Sequence, residues 1–270
     1  MPGGSGIRSG QRLQDNGGVT YGYPAKTIGW PGVTFDVFAP GAVRLSTTFT
    51  SHVYNFGAAN DGWVVQGDAL YYREYWIDTM NQIDPDQPNG TQRIGGGWAK
   101  FTALETSQYN ANGTARNTAY GLRSDGTLFR WSVDHSLWKA TGSAPGFASM
   151  KSMALISKTP TYDTFIANTR GGALYTIRIP TTSPMKPVVK PVRTRTWQGF
   201  EKLIANQCGR YGTVLLGIDK DTGNGHVYAV GHANGTATVI QSIGSFRGTY
   251  KQPVYFRWAA LPYLHTLNGD

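Results

Sequence analysis

One motif returns along this chain and limits what it can fold into: an Ile-Gly step, then an aromatic residue, then alternating apolar positions. Its fullest copy is Ile94-Gly95-Gly96-Gly97-Trp98-Ala99-Lys100-Phe101-Thr102-Ala103-Leu104. It returns as Thr27-Ile28-Gly29-Trp30 running to Phe35-Asp36-Val37-Phe38, and as Trp197-Gln198-Gly199-Phe200-Glu201-Lys202-Leu203-Ile204. Shorter copies are Pro145-Gly146-Phe147 before Met150, Met153 and Leu155, and Ile243-Gly244-Ser245-Phe246 before Val254 and Phe256. The spacing of these copies, roughly 45 to 70 residues, fits propeller blades of about 40–50 residues with insertions.

Hairpins follow the copies. Ala119-Tyr120-Gly121-Leu122-Arg123 leads through Ser124-Asp125-Gly126 to Thr127-Leu128-Phe129-Arg130-Trp131. Phe165-Ile166-Ala167 leads through Arg170-Gly171-Gly172 to Ala173-Leu174-Tyr175. Val214-Leu215-Leu216-Gly217-Ile218 leads through Thr222-Gly223-Asn224-Gly225 to His226-Val227-Tyr228, and a last strand is expected over Thr236 to Ile240 after Asn234-Gly235. Asp-Gly and Asn-Gly supply the positive φ that tight hairpins need. Each unit thus holds about four short antiparallel strands. One such sheet cannot bury both faces, so the units must stack radially. The composition agrees: 35 glycines, 13% aromatic and only 15% charged residues suit many strands joined by turns.

The expectation is a single all-β domain over 1–270, a five-bladed β-propeller. Its blades are placed at 27–93, 94–144, 145–196, 197–242 and 243–270. The last unit breaks off after two strands, and the N-terminus begins mid-unit. Residues 1–26, with a strand over Val19 to Tyr23, are expected to complete the C-terminal blade and remove an open sheet edge. The first unit is the poorest fit and carries an insertion around Asp84-Pro85-Asp86-Gln87-Pro88-Asn89-Gly90.

Ile-Gly-Gly-Gly-Trp-x-x-Phe-x-x-Leu at 94–104, with Asp-Gly-Thr-Leu-Phe at 125–129, resembles the blade signature of the tachylectin-2-type propeller lectins. The resemblance spans nearly the whole chain as architecture and one blade in detail. It implies five blades and binding of N-acetylated amino sugars, without metal, at several equivalent sites between blades. The blades here have diverged, whereas those of the family are nearly identical. That divergence opens the way to lost sites and to another sugar.

Sugars stack their C–H faces on aromatic rings. Trp30, Trp98 and Trp197, with Phe147 and Phe246 at the same repeat position, are therefore the candidate ligand-binding residues; the same rings would also plug the gaps between blades. Trp63, Trp76, Trp131, Trp138 and Trp258 follow no shared register and read as packing. Asp36, Glu105, Asp163 and Glu201 fall on early strands of separate units. A glycosidase needs two facing carboxylates, but nothing in their context singles these four out. His52, His135, His226, His232 and His265 lack metal-ligand spacing, and His226 and His232 read as solvated. The Asp219-to-Gly225 loop lacks the acidic twelfth position of a calcium hand. Asn89, Asn112 and Asn234 open glycosylation sequons that read first as turns. Neither a catalytic residue nor a metal or other cofactor is expected.

Cys208 is the only cysteine and forms no internal disulfide. The net charge is +9 and the pI about 9.6, which allows an anionic polymer as partner. The positive charges are scattered, so nucleic acid is disfavoured. The densest stretch, Lys186 to Arg195, is broken by prolines and reads first as a stiff loop between blades. No apolar run is long enough for a membrane span. The first residues lack a signal peptide's basic and apolar regions; they read as a native start, or as the remnant of a removed leader on a secreted protein. The leading function is a multivalent, metal-independent carbohydrate-binding protein. Alternatives are a polysaccharide hydrolase or lyase with one site at the central channel, and a protein-interaction scaffold.

Overall fold

The computed structural model describes residues 12–13, 28–29, 37–38, 41–80, 82–111, 113–248, 257–260 and 267–270. A short pair, β1 (Arg12–Leu13) and β2 (Ile28–Gly29), precedes the blades. The first blade holds β3 (Val43–Ser46), β4 (Thr48–Tyr54), β5 (Gly57–Gln66), β6 (Ala69–Asp78) and β7 (Gly90–Gly95). Both β3 and β4 pair with β5, so together they form one inner strand interrupted at Thr47. The second blade holds β8 (Phe101–Ala111), β9 (Thr114–Arg123), β10 (Leu128–Asp134) and β11 (Leu137–Ala144). The third holds β12 (Met150–Lys158), β13 (Tyr162–Thr169), β14 (Leu174–Pro180) and β15 (Val188–Arg193). The fourth holds β16 (Lys202–Cys208), β17 (Gly212–Asp219), β18 (Asn224–Val230) and β19 (Ile240–Arg247), and β20 (Arg257–Ala260) pairs in parallel with β4. Strands within each blade are antiparallel and sequential, with β8, β12 and β16 innermost and β12 adjacent to both β8 and β16.

The ring therefore has four blades, not the five expected. The repeat copy at Ile243-Gly244-Ser245-Phe246 does not open a fifth blade. It lies inside β19, where Ser245 faces His226 and Phe246 faces Gly225, as the outermost strand of the fourth blade. The copy at 27–38 does not open the first blade either: Ile28 and Gly29 pair with β1, and the first inner strand starts at Val43. Asn234 to Thr238 is a turn, with Thr238 Oγ1 accepting from Asn234 N at 2.8 Å, and the strand expected there starts only at Ile240. The stretch expected as a loop at 186–195 contains β15; Pro191 is tolerated because an outermost strand has one unpaired edge. Val19 to Tyr23, expected to close the ring, lie outside the described residues.

The repeated motif turns out to be a joint. Trp98 N donates to Asp68 O (3.0 Å), Phe147 N to Gly126 O (2.9 Å) and Trp197 N to Gly172 O (3.0 Å). In each case the start of one blade takes hold of the second hairpin turn of the blade before. The contact is tight enough to require glycine. A Cβ on Gly126, whose φ is +84°, would lie 2.2 Å from Ala148 N, and one on Gly172, at φ +93°, 2.2 Å from Gln198 Oε1.

Between the joints the blades pack face to face. Leu45, Trp63, Val65 and Leu70 meet Phe101, Leu104, Ala119 and Val133 between the first two blades. Tyr120, Leu122 and Leu128 meet Leu155, Phe165 and Ile177 between the second and third. Ala154, Ile156 and Ile166 meet Leu203, Ala205 and Leu215 between the third and fourth. Neighbours on β12 alternate between these two last layers, so the strand is buried on both faces and reads as a nearly unbroken apolar run. Each such side chain contributes about 1.5–3 kcal/mol.

Polar groups also cross the seams. At the second seam Asp163, fully buried, accepts from Ser107 Oγ (2.8 Å), Tyr120 OH (2.7 Å) and both Arg116 Nη atoms. At the third, residues 267–270 lie between the blades. Gly269 N donates to Ile156 O (2.9 Å), Ala233 N donates to Gly269 O (2.7 Å), and Arg178 holds the Asp270 carboxylate through Nε (2.8 Å) and Nη2 (2.9 Å). Burial alone would raise the Asp270 carboxyl, but Arg178 and Thr164 outweigh it and hold it below the ordinary range. Among the described residues no helix is long and apolar enough to cross a membrane.

Candidate functional site

The first seam is different. Its inner part is packed, but toward the rim that carries the β4–β5 and β10–β11 turns it opens into a cleft of about 430 Å³. The first blade contributes Thr50, His52, Asp61, Trp63 and Tyr72, and the second contributes Gln108, Tyr109, Arg116, Asn117 and His135 among others. Alternation explains the first wall. Thr50 and His52 on β4, Asp61 and Trp63 on β5, and Tyr72 on β6 all project from one face. Cross-strand pairing sets Asp61 opposite Thr50 on one side and opposite Glu74 on the other, and Trp63 opposite Tyr72.

Aromatic rings form the floor. Trp63 is buried and tilted against Tyr72, with centroids 5.4 Å apart, and meets Trp138 edge-on at 5.9 Å. Trp63 Nε1 donates to His135 O (3.1 Å), tying the first blade to a turn of the second. That turn holds His135 at a φ of 43°, a left-handed conformation rare for a residue with a side chain.

The polar groups converge on Asp61. Burial pushes its carboxyl above the ordinary carboxylate range, and the Glu74 charge adds to this. Both outweigh the opposite pull of His52 and of the Tyr72 hydroxyl, which donates to it. His52 Nε2 lies 4.0 Å from Asp61 Oδ1. Burial, with the charges of Asp61 and Glu74, also pushes the Tyr72 phenol up. On the opposite wall Arg116 Nε and Asn117 Oδ1 are buried without a hydrogen-bond partner among the described residues. The cleft therefore offers ring faces, a carboxyl that keeps its proton to higher pH than an ordinary carboxylate, and unused donors and acceptors. Among the described residues no three His, Cys, Asp or Glu side chains are grouped so that they could hold a metal ion. The His52–Asp61 and Asp134–His135 pairs stay apart as two pairs.

The residues singled out by the repeat lie elsewhere. Trp98, Phe147 and Trp197 occupy equivalent positions at the three joints, each 5–7% exposed, so little of any ring face is open. Phe246 is on β19, packed beside Val227 and Ile218, and Trp30 lies outside the described residues. Among the described residues the structure does not bring these side chains together. The early-strand carboxylates do not converge either. Glu105 accepts from Thr48 N (2.7 Å) and Thr48 Oγ1 (3.0 Å), Glu201 from Lys151 Nζ (3.0 Å) and Lys220 N (2.7 Å), and Asp163 is spent at the second seam. Asp36 lies outside the described residues. The Asp219 carboxylate receives the Asp221 and Thr222 amides, each at 3.0 Å, as turn residues do.

No protein-family model and no curated protein matches the chain. Several solved structures align with much of it. The catalytic domain of the GH62 α-L-arabinofuranosidase of Coprinopsis cinerea aligns over 81% of this chain and 74% of its own, at 9% identity and a TM-score of 0.47. A triple-arginine variant of AofleA from Arthrobotrys oligospora aligns over 80% and 79%, at 10% identity and a TM-score of 0.42. A Bacteroides fragilis protein assigned as a 6-phosphogluconolactonase aligns over 75% of this chain, at 13% identity and a TM-score of 0.39, and the chain spans 55% of it. These likenesses assign no activity.

Proposed function

We propose that this chain is a metal-independent carbohydrate-binding protein whose ligand lies in the cleft between the first two blades. The observation that carries the reading is the composition of that cleft: the half-buried rings of Tyr72 and Tyr109, with Trp63 buried beneath, beside Asp61, His52, Gln108 and Asn117. A concave site with aromatic walls and a few convergent polar groups suits a sugar, which has C–H faces to stack and hydroxyls to orient. The resemblance of residues 94–104 and 125–129 to the tachylectin-2-type signature makes N-acetylated amino sugars the first ligands to try.

Titration calorimetry with N-acetylglucosamine, N-acetylgalactosamine and a panel of neutral and acidic oligosaccharides tests this. Binding is expected at one site per chain, unchanged by chelator and weakened at least about tenfold by Tyr109→Ala or Gln108→Ala. Full affinity in both variants removes the cleft from the reading. A stoichiometry of three or more returns it to the repeated positions of Trp98, Phe147 and Trp197.

A second reading, cleavage of a polysaccharide in the same cleft, is favoured by one feature: a carboxyl held protonated to higher pH than usual, as a general acid requires. Release of reducing ends or unsaturated products by the wild type, abolished in Asp61→Asn, would replace binding with catalysis.

A further inference from the structure

The face of the first blade that walls the cleft continues past it. Reading outward along the pairing register, Trp63 stands opposite Tyr72. Next come Thr50, Asp61 and Glu74, then His52, Ala59 and Trp76, then Tyr54 opposite Gly57 at the hairpin tip. The six residue steps from Trp63 to Gly57 cover about 20 Å at strand rise.

At the outer end stand three rings. Tyr54 and Phe56 have centroids 5.6 Å apart and planes within 14°, Tyr54 and Trp76 5.2 Å and 14°, Phe56 and Trp76 6.3 Å and 2°. The three planes are nearly parallel, so the cluster presents one common orientation. A packed aromatic core commonly mixes tilted and edge-on contacts, as around Trp63 and Trp138. Tyr54 and Phe56 are 45% and 58% exposed, and Trp76 Nε1 is buried without a partner among the described residues. Gly57 keeps the tip clear: at φ +149° its Cβ would fall 2.0 Å from Ile77 O.

We infer that Tyr54, Phe56 and Trp76 form an outer subsite, and that the ligand is a neutral polysaccharide chain running from the cleft to the hairpin tip. The inference rests on the cleft being the sugar site. Its ground is continuity: one sheet face carries aromatic rings at both ends and hydroxyl-binding side chains, His52, Asp61 and Glu74, between them. A single sugar spans only a fraction of that length. The two carboxylates midway repel a sulfated or uronic chain, so the basic charge of the molecule does not act here. Parallel rings suit successive sugar faces along one strand of polymer.

Tyr54→Ala and Phe56→Ala, singly and together, test it, since both side chains are exposed and lie outside the cleft. Chito-, cello-, xylo- and mannohexaose are titrated beside their monosaccharides, with heparin as the anionic probe. At least one hexaose is expected to bind about tenfold or more tightly than its monosaccharide. The double variant is expected to lose that advantage with the monosaccharide affinity and melting temperature unchanged. Equal affinity for hexaose and monosaccharide in the wild type overturns the outer subsite, as does a double variant that keeps full hexaose affinity. Tighter binding of heparin than of every neutral hexaose overturns the neutral chain. Absence of any saccharide binding removes the cleft reading as well, whereas loss through Tyr109→Ala without loss through the tip variants removes only the extension.

Discussion

Arg116 of the second blade closes on Asp163 of the third, its Nη2 2.8 Å from Oδ1 and its Nη1 on Oδ2. The pair is desolvated: the Asp163 side chain is 0% exposed and that of Arg116 18%. Ser107 and Tyr120 complete the carboxylate's partners, so the ion is fully satisfied where it is buried.

Removing one partner of such a group leaves the others stranded. Asp163→Ala is expected to cost about 3–5 kcal/mol in urea unfolding. Replacing both ends, Asp163→Leu with Arg116→Met, is expected to recover much of that loss. A single variant within about 1 kcal/mol of wild type, the scale of an exposed ion pair, would show that the cluster does not hold the seam.

Asp61 behaves oppositely. Its folded carboxyl lies above the ordinary 3.8, so the native state holds the proton more tightly than the unfolded chain does. Stability is then undiminished below 3.8 and falls as pH rises from there to the raised value. Asp61→Asn, which keeps an acceptor for Tyr72, is expected to melt higher than wild type at pH 7, with the gap closing at acid pH. Melting curves that differ equally at pH 3 and pH 7 would contradict this.

Trp197 separates the two possible locations of a ligand. It is 5% exposed and packed on Phe200 and Tyr228. Trp197→Ala is expected to cost roughly 3–5 kcal/mol through the void it leaves. The folded protein is expected to keep its full glycan affinity, because the cleft is two seams away. Unchanged stability with lost binding would instead place a sugar at the joint.

Gly269 is a second tight point of the third seam. A Cβ there would meet Thr213 Oγ1 at 2.5 Å and Ile156 O at 2.8 Å. Gly269→Ala is expected to destabilise by about 1–3 kcal/mol and to loosen residues 267–270 from β12. Hydrogen exchange at the Lys158 amide, which donates to Leu267 O at 3.0 Å, reads this directly. Unaltered protection would show that the segment adjusts without cost.

The joints were the legible part of this chain. Asp125-Gly126 and Gly171-Gly172 announce their turns because positive φ leaves few other choices, and the aromatics Trp98, Phe147 and Trp197 each mark the next blade. The same signal misled at Ile243-Gly244, because glycine in an outer strand and glycine before an inner strand look alike without the pairing partner. The cleft was hidden for another reason. Trp63, Tyr72 and Asp61 come together through a hairpin centred on Gly67-Asp68, which also sets Ala59 opposite Trp76. That hairpin belongs to the unit that departs most from the repeat, so Trp63 and Trp76 had no register to be read in. The opposite wall comes from the second blade, and nothing local in sequence pairs Tyr109 or Asn117 with Asp61.

The hand-over from each turn to the next blade is made by main-chain atoms: an amide of Trp98, Phe147 or Trp197 on a carbonyl of Asp68, Gly126 or Gly172. A coupling of that kind asks of mutation only that a few glycines stay. Side chains outside the packed seams can drift without breaking that hand-over, so selection can act on one exposed blade face at a time. A ring built this way can turn a single module into the working surface while the other three go on serving as its frame.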